Sequence, residues 1–331
     1  MQTIAEKKTT SGPASSLGSA WRKIPIIFWG LLLLLIALGI VSPNSVAPVH
    51  LLDFVRQAAP LIIIGIGQTL VLLIGGIDLS VGAVMTLSCV LAAQLMMNDP
   101  SRAGMAIAVC LAVGALIGLA NGVLCSRLRM PAFVVTLGVS ILLLGVTLMV
   151  TGGAPKGSVP ENVRFWGTGF VGPIPSAAFV WAAVAILVYL IINFFPIGRY
   201  LYSTGANERS VHLAGIDEVK IKIIAYVACG LLSSLSGLMM AAYIGTGSLT
   251  VGDDYQLRSI AAAILGGAAF DGGKGSVLGT ILASLFLVVM FSLVGVLNMD
   301  AGDRSIIQGL IILLGLLLNN FREGGKLFKR A

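Results

Sequence analysis

Residues 57–98 read QAAPLIIIGIGQTLVLLIGGIDLSVGAVMTLSCVLAAQLMMN, forty-two residues with a single charged side chain, Asp78. Crossing a hydrocarbon core of about 30 Å takes about 20 residues of helix, so two full crossings use nearly all of them. The turn between them is therefore very short or lies at membrane depth. Gly75, Gly76 and Gly82 allow a tight backbone there, and Asp78 and Ser80 can satisfy the amides freed at a helix start. Three roles stay open for Asp78: a cap on the following span, a part of a translocation path or its gate, and a contact for a cytoplasmic partner.

The rest of the chain repeats this pattern. Of 331 residues, 57% are hydrophobic and 11% charged, with a mean hydropathy of +1.00. A soluble chain of this length would carry about 80 charges, at roughly 25%. Here there are 21 basic and 14 acidic residues. That shortage excludes a soluble enzyme, a nucleic-acid-binding domain, a disordered chain and a disulfide scaffold. The net charge of +7 is scattered between apolar runs and forms no basic face for nucleic acid.

Ten runs free of charged residues can be drawn: 24–49, 57–77, 79–98, 103–126, 130–155, 165–198, 223–252, 259–270, 275–299 and 305–321. Nine are long enough to span. The run 259–270 must recruit neighbours such as Leu257 or form a half-membrane segment packed inside protein. The expected fold is an all-α integral membrane protein of about ten transmembrane segments. Residues 1–23 form a polar tail, 24–321 the membrane domain and 322–331 a basic tail. With both termini cytoplasmic, fifteen Lys and Arg fall inside and six outside, among them Arg56 and Arg258, which obeys the positive-inside rule. The first run is too long for the core of a secretory signal.

The four cysteines, Cys89, Cys110, Cys125 and Cys229, form no close pair and read as buried thiols, and no cofactor or metal is expected. Gly114, Gly118 and Gly122 recur every four residues, a close-packing face for another helix. Polar groups inside the spans, among them Gln68, Thr69, Asn121, Thr136, Ser140, Thr147, Ser233, Ser234 and Ser236, are uncharged. They suit hydrogen bonds between helices, and a few converging would also suit an uncharged, polyhydroxylated solute. A second glycine-rich break, Gly266-Gly267 through Asp271 to Ser276, shares a double glycine, an Asp, a Ser and a further Gly with the first, which hints at an internal duplication. It lacks the GxxxxGK[ST] spacing of a phosphate-binding loop, so ATP chemistry would have to come from another chain.

Between the sixth and seventh spans, residues 197–218 form the long polar connection. Asn207 is placed to cap a short helix, Glu208 suits its positive start, Gly215 can end it and Asp217 opens the next. A folded loop here reads as a docking surface, with a solvated loop resting on the bilayer as the alternative.

The stretch GRYLYSTGANERSVHLAGID (198–217) resembles the cytoplasmic coupling loop of the membrane subunit of ribose-type ATP-binding-cassette importers. GGIDLSVGAVMTL (75–87) and ILGGAAFDGGKGSVLGTIL (264–282) resemble two further signatures of that family, in the same order. The resemblance covers roughly residues 24–322. It implies a bacterial inner-membrane permease that works with a second permease subunit, cytoplasmic ATP-binding-cassette ATPase subunits and a periplasmic sugar-binding protein. Gly198, Arg199, Gly205, Asn207, Glu208 and Gly215 would couple ATP-driven closure to the spans. Gln68, Gly75, Gly76, Asp78, Ser80, Asn121 and Asp271 are candidates for the path or its gate. The implied cargo is ribose or a similar pentose; nucleosides, other sugars and branched-chain amino acids remain alternatives, as does a stand-alone secondary carrier. One departure is Gln256-Leu257-Arg258, where the family often has Glu-Leu-Asp, which puts a simple transfer of binding-protein contacts or cargo specificity in doubt.

Overall fold

The computed structural model describes residues 26–300 together with 302, 303, 306, 307, 309, 310 and 313. The two tails and the run 305–321 lie largely or wholly outside these residues. Within them the chain is almost entirely helical: α1 (Ile26–Val41), α2 (Pro48–Gln57), α3 (Ala59–Leu73), α4 (Val81–Met96), α5 (Ala103–Gly122), α6 (Ala132–Thr151), α7 (Glu161–Thr168), α8 (Ser176–Phe194), α9 (Pro196–Ala206), α10 (Glu208–Leu213), α11 (Glu218–Ile244), α12 (Val251–Leu265) and α13 (Val277–Val296). A two-residue β-ladder pairs Phe170–Val171 with Ile174–Pro175 before α8. Helices or helix pairs occupy the first nine of the runs read from sequence.

Among the described residues six spans are long and apolar enough to cross a membrane: Pro48–Leu73, Pro100–Arg127, Ala132–Thr151, Ser176–Phe194, Glu218–Ile244 and Val277–Val296. Three others are shorter. α1 and α4 have 16 residues each and α12 has 15, about 24 Å at most. The short run 259–270 recruits its upstream neighbours as far as Val251, and Ser259–Ile264 are buried inside protein.

α3 is buried over all 15 residues, and α4 over most of its length. These helices are apolar on every side because other helices surround them. They also carry polar side chains that lipid would penalise. Thr69 Oγ1 lies 2.7 Å from Thr280 Oγ1, Ser88 Oγ donates to Ser234 Oγ at 2.9 Å, and Ser234 Oγ donates to the Cys110 carbonyl at 2.6 Å. Ser236 Oγ donates to the carbonyl of Pro60 at 2.8 Å. Thr136, Thr147 and Ser233 instead bond carbonyls one turn back in their own helices. By contrast α6 exposes Ile141, Leu142 and Met149, apolar surface of the kind lipid or another chain covers.

The glycine face of α5 packs on α11 as its spacing predicts. A methyl on Gly118 would collide with the backbone carbonyl of Tyr226, one on Gly114 with Gly230, and one on Gly122 would approach Ile223 Cα at 2.9 Å. All four thiols are free; Cys89, Cys110 and Cys229 are buried and Cys125 half-buried.

α4 and α12 are short because both begin inside the bundle. The chain leaves α3 at Leu73, turns at Gly75 (φ +73°) and runs back beside α3 before α4 opens. On the opposite face, residues 245–250 fold back along α4, where Gly247 faces Val90, and α12 opens with the Gly252 amide bonded to Thr86 Oγ1 at 2.9 Å. The two helix starts meet: a side chain on Gly82 would strike the Gly252 carbonyl, and the reverse.

Candidate functional site

Two groups of residues read from sequence come together, and they lie at one end of the bundle. The first surrounds Asp78. Its side chain is 1% exposed, and Oδ1 accepts from the Ser80 amide at 2.8 Å and the Ser80 hydroxyl at 2.6 Å. Asn121 Nδ2 in turn donates to Ser80 Oγ at 2.8 Å. With its amide oriented by hydrogen bonding, Gln68 pairs with the Asp78 backbone, donating to the carbonyl at 3.1 Å and accepting from the amide at 3.3 Å. Gln68 stands five residues before the end of α3, so Asp78 lies about 7 Å inside that end. The turn thus sits at depth, and Asp78 holds the amide of the residue that opens α4.

A buried carboxylate costs several kcal/mol unless hydrogen bonds meet it, and here Ser80 supplies both, its hydroxyl held in turn by Asn121 of α5. The Asn121 Oδ1 finds no donor among the described residues. Sequence reading missed Tyr226, whose hydroxyl lies 2.7 Å from where a Gly76 side chain would begin and 3.5 Å from the Ile77 carbonyl. Nothing in a run of apolar residues marks one tyrosine as the lid of a break 150 positions away.

The second group is the 197–218 connection. α9 follows α8 after a sharp turn at Pro196, with Gly198 pressed on the Ile192 backbone and Arg199 exposed. Asn207 caps α10, its Oδ1 accepting from the Ser210 amide at 3.0 Å, and Gly215 (φ +77°) follows that helix. Asp217 caps α11, accepting from the Lys220 amide at 3.1 Å. Glu208 pairs with Lys222 of α11 at 2.7 Å, and His212 lies 3.1 Å from Glu218, so α10 is tied to the first turns of α11. The caps and stops are those the sequence predicts; the Lys222 partner was not foreseen.

α9 joins the two groups. Gly205 seats against the Leu73 carbonyl and the Gly273 amide, with no room for a side chain. Leu73 O also accepts from the Gly273 amide at 2.9 Å, and a side chain on Gly272 would come within 2.9 Å of Gly205 Cα. Tyr202 of α9 donates to the Gly275 carbonyl at 2.9 Å. The three motifs, distant in sequence, therefore share one contact. The two breaks differ inside it. Asp78 is buried and fully used as an acceptor at Oδ1, whereas the Asp271 side chain is exposed and its backbone carbonyl faces Gly75. The Ser that precedes each following helix also differs in role: Ser80 donates to Asp78, while Ser276 Oγ accepts from the Gly279 amide at 3.1 Å.

α10 is exposed along its length except at Val211. Leu213 is 79% exposed, and a groove beside it is lined by Ser203, Asn207, Ser210, Val211 and Ile216. Among the described residues no group of His, Cys, Asp or Glu is placed to hold a metal.

Such a bundle is that of an all-α, multi-pass integral membrane protein. The chain belongs to the permease family described as branched-chain amino acid transport system / permease component, which it matches over residues 50–316. It is 35% identical over 297 residues to the ribose import permease protein RbsC of Escherichia coli K12, covering 88% of this chain and 92% of that one. It is 32% identical to RbsC of Bacillus subtilis over 296 residues, 88% of this chain and 91% of the relative. To the fructose import permease protein FrcC of Rhizobium meliloti it is 31% identical over 317 residues, 92% and 87% of the two chains. No solved structure matches significantly.

Proposed function

We propose that this chain is the membrane permease subunit of an ATP-driven bacterial importer, and that it forms the path for a monosaccharide, ribose or a similar pentose. The observation that carries the reading is the shared seat of Gly205, Leu73 and Gly273: it gives a docking loop direct backbone contact with both breaks in the bundle. ATPase subunits would dock on α10, its exposed Leu213 and the adjoining groove. Their closure on ATP would shift α9 and α10, and through them the ends of α3 and α13, biasing an inward-open against an outward-open state. The chain supplies no ATPase site of its own.

In this reading the α9–α10 end is cytoplasmic, as are both termini, and the protein lies in the inner membrane. A second permease subunit covers part of the exposed apolar surface, and a periplasmic sugar-binding protein delivers cargo at the opposite end. Gly198, Arg199, Gly205, Asn207, Glu208 and Gly215 form the coupling device, and Gln68, Gly75, Gly76, Asp78, Ser80, Asn121 and Asp271 border the gate. The names of the relatives favour a sugar; the family description favours a branched-chain amino acid as the second reading.

The test is uptake by proteoliposomes holding this chain with its ATPase and binding protein. Ribose should accumulate only with ATP inside the cytoplasmic compartment and should continue to do so when the proton gradient is collapsed. Uptake that follows the gradient would make the chain a secondary carrier, and uptake of leucine in place of ribose would move it to the second reading.

A further inference from the structure

A cavity of about 290 Å³ opens at the end of the bundle opposite α9–α10, where α2, α3, α7, α8, α11, α12 and α13 converge. Its chemistry is set by two arginines about two hundred positions apart, Arg56 at the end of α2 and Arg258 in α12. Each is already ion-paired, Arg56 with Asp53 at 2.8 Å and Arg258 with Asp254 at 2.9 Å. Each also lies on aromatic rings: the Arg56 guanidinium is 5.7 Å from the Phe170 centroid and 5.6 Å from that of Tyr243, and the Arg258 guanidinium is 3.9 Å from that of Phe291. Tyr255 and Ser292 add hydroxyls to the wall.

Two features decide what fits. The first is charge. Because each cation has its own carboxylate, the wall offers a ligand little net positive field. The second is hydrogen-bonding capacity. The Nε of Arg56 and the Nε of Arg258 are both buried and find no acceptor among the described residues. Both atoms are closed off from solvent, so the donors a ligand meets are the remaining guanidinium N–H groups and the hydroxyls of Tyr255 and Ser292. A wall of neutralised donors, hydroxyls and ring faces matches a neutral polyhydroxylated ring, whose oxygens accept from guanidinium N–H groups while its C–H face lies on an aromatic ring. An anion would find the charge of both arginines already balanced by Asp53 and Asp254.

We propose that this cavity is a binding site within a single permease chain for a neutral monosaccharide ring, with Arg56, Arg258, Tyr243, Tyr255, Phe291 and Ser292 as its contacts. The proposal deepens the reading of the chain as a sugar permease, and it places one cargo contact on residues that carry none of the three sequence motifs.

The test uses the full chain in phosphatidylcholine nanodiscs, with D-ribose and its anionic counterpart D-ribonate as probes, followed by saturation-transfer NMR. Ribose ring protons should show saturable contact, ribonate should bind at least tenfold more weakly, and Arg258→Gln and Phe291→Ala should each weaken ribose at least tenfold. Tyr255→Phe, which keeps the ring, should retain the stacking signal with reduced affinity and reports on the cavity if the larger changes prevent folding. Absence of saturable ribose contact in the wild type, ribonate binding as tightly as ribose, loss of the signal when phosphatidylglycerol replaces part of the lipid, or variants that bind as the wild type does would each overturn the site. The transport reading fails separately. A wild type that binds ribose in nanodiscs yet shows no ATP-driven uptake in the assembled importer removes the importer and leaves the site. Uptake with unchanged KM in both variants removes the site and leaves the importer.

Discussion

Gly205 rests on the carbonyl oxygen of Leu73, the same oxygen that accepts the Gly273 amide at 2.9 Å. The backbone of α9 is thereby wedged between the two breaks, with a hydrogen atom where any other residue would put carbon. Gly205→Ala should force these backbones apart, at an overpacking cost of about 1–3 kcal/mol. In reconstituted importer the expected result is ATPase activity that no longer responds to cargo-loaded binding protein, with uptake lost. Wild-type coupling in this variant would show that the seat can open freely and that α9 transmits nothing.

Asn207 opens α10 by accepting from the Ser210 amide. Asn207→Ala should loosen that six-residue helix by about 1 kcal/mol, whereas Asn207→Asp and Asn207→Ser keep an acceptor. Hydrogen exchange at 208–213 and the ratio of ATP hydrolysed to sugar moved should therefore change in the Ala variant and be restored in the other two. An equal loss in all three would assign Asn207 to a partner contact instead of a cap.

For Asp78 the useful comparison is between two substitutions. Asp78→Ala leaves the Ser80 amide and hydroxyl without their buried acceptor, and should lower thermal stability by about 1–3 kcal/mol. Asp78→Asn retains an Oδ1 and should fold nearly as the wild type does. If Asp78→Asn nevertheless abolishes uptake in well-folded protein, the carboxylate charge is used during transport; if uptake persists, the residue is a replaceable cap on α4.

The start of α11 has a pH dependence of defined sign. The Lys220 amide, and then its side chain, hold the Asp217 carboxyl below the usual carboxylate range; Glu218 is lowered by its own backbone amide and then by His212. Groups whose folded pKa is depressed contribute fully above their unfolded values, about 3.9 for Asp and 4.3 for Glu, and lose the contribution as pH falls through the lower folded values. Amide exchange at 218–221, corrected for intrinsic rates, should show full protection at pH 6 and fraying near pH 3. Asp217→Asn should remove most of Asp217's share of that dependence; an unchanged profile would place its origin elsewhere.

Local rules made the connection legible in sequence. Asn207, Gly215 and Asp217 act within four residues of themselves, and their roles in the fold are those their chemistry predicts, whereas Glu208 reaches Lys222, fourteen positions on. The four-residue spacing of Gly114, Gly118 and Gly122 likewise announced a helix contact, though not that α11 fills it. The length of 57–98 forced the turn at Asp78 to be tight or deep, and it is deep. The backward runs before α4 and α12 were not legible as a pair, because one is marked by glycines around an Asp and the other, 245–250, by a Gly-Thr-Gly-Ser stretch with no acidic residue. Least visible of all were Arg56 and Arg258. Sequence placed them on the same side of the membrane, but their meeting across one cavity depends on how seven helices pack, and no periodicity records that.

α11 begins at the Asp217 cap, directly beside α10, and continues for 27 residues, about 40 Å, to the turn where Met239, Met240 and Tyr243 wall the cavity. Its internal glycines, Gly230 and Gly237, are clamped against Gly114 and Met85, so the places where a helix would bend most easily are braced. In the importer proposed above, α11 would serve as a push-rod. A small axial slip or twist imposed at Asp217 would arrive at Tyr243 almost undiminished, while the same motion sent through α4 or α12 would be absorbed in their non-helical joints. In that reading one end of the stroke would be set by the loop, and the other would move a wall of the chamber.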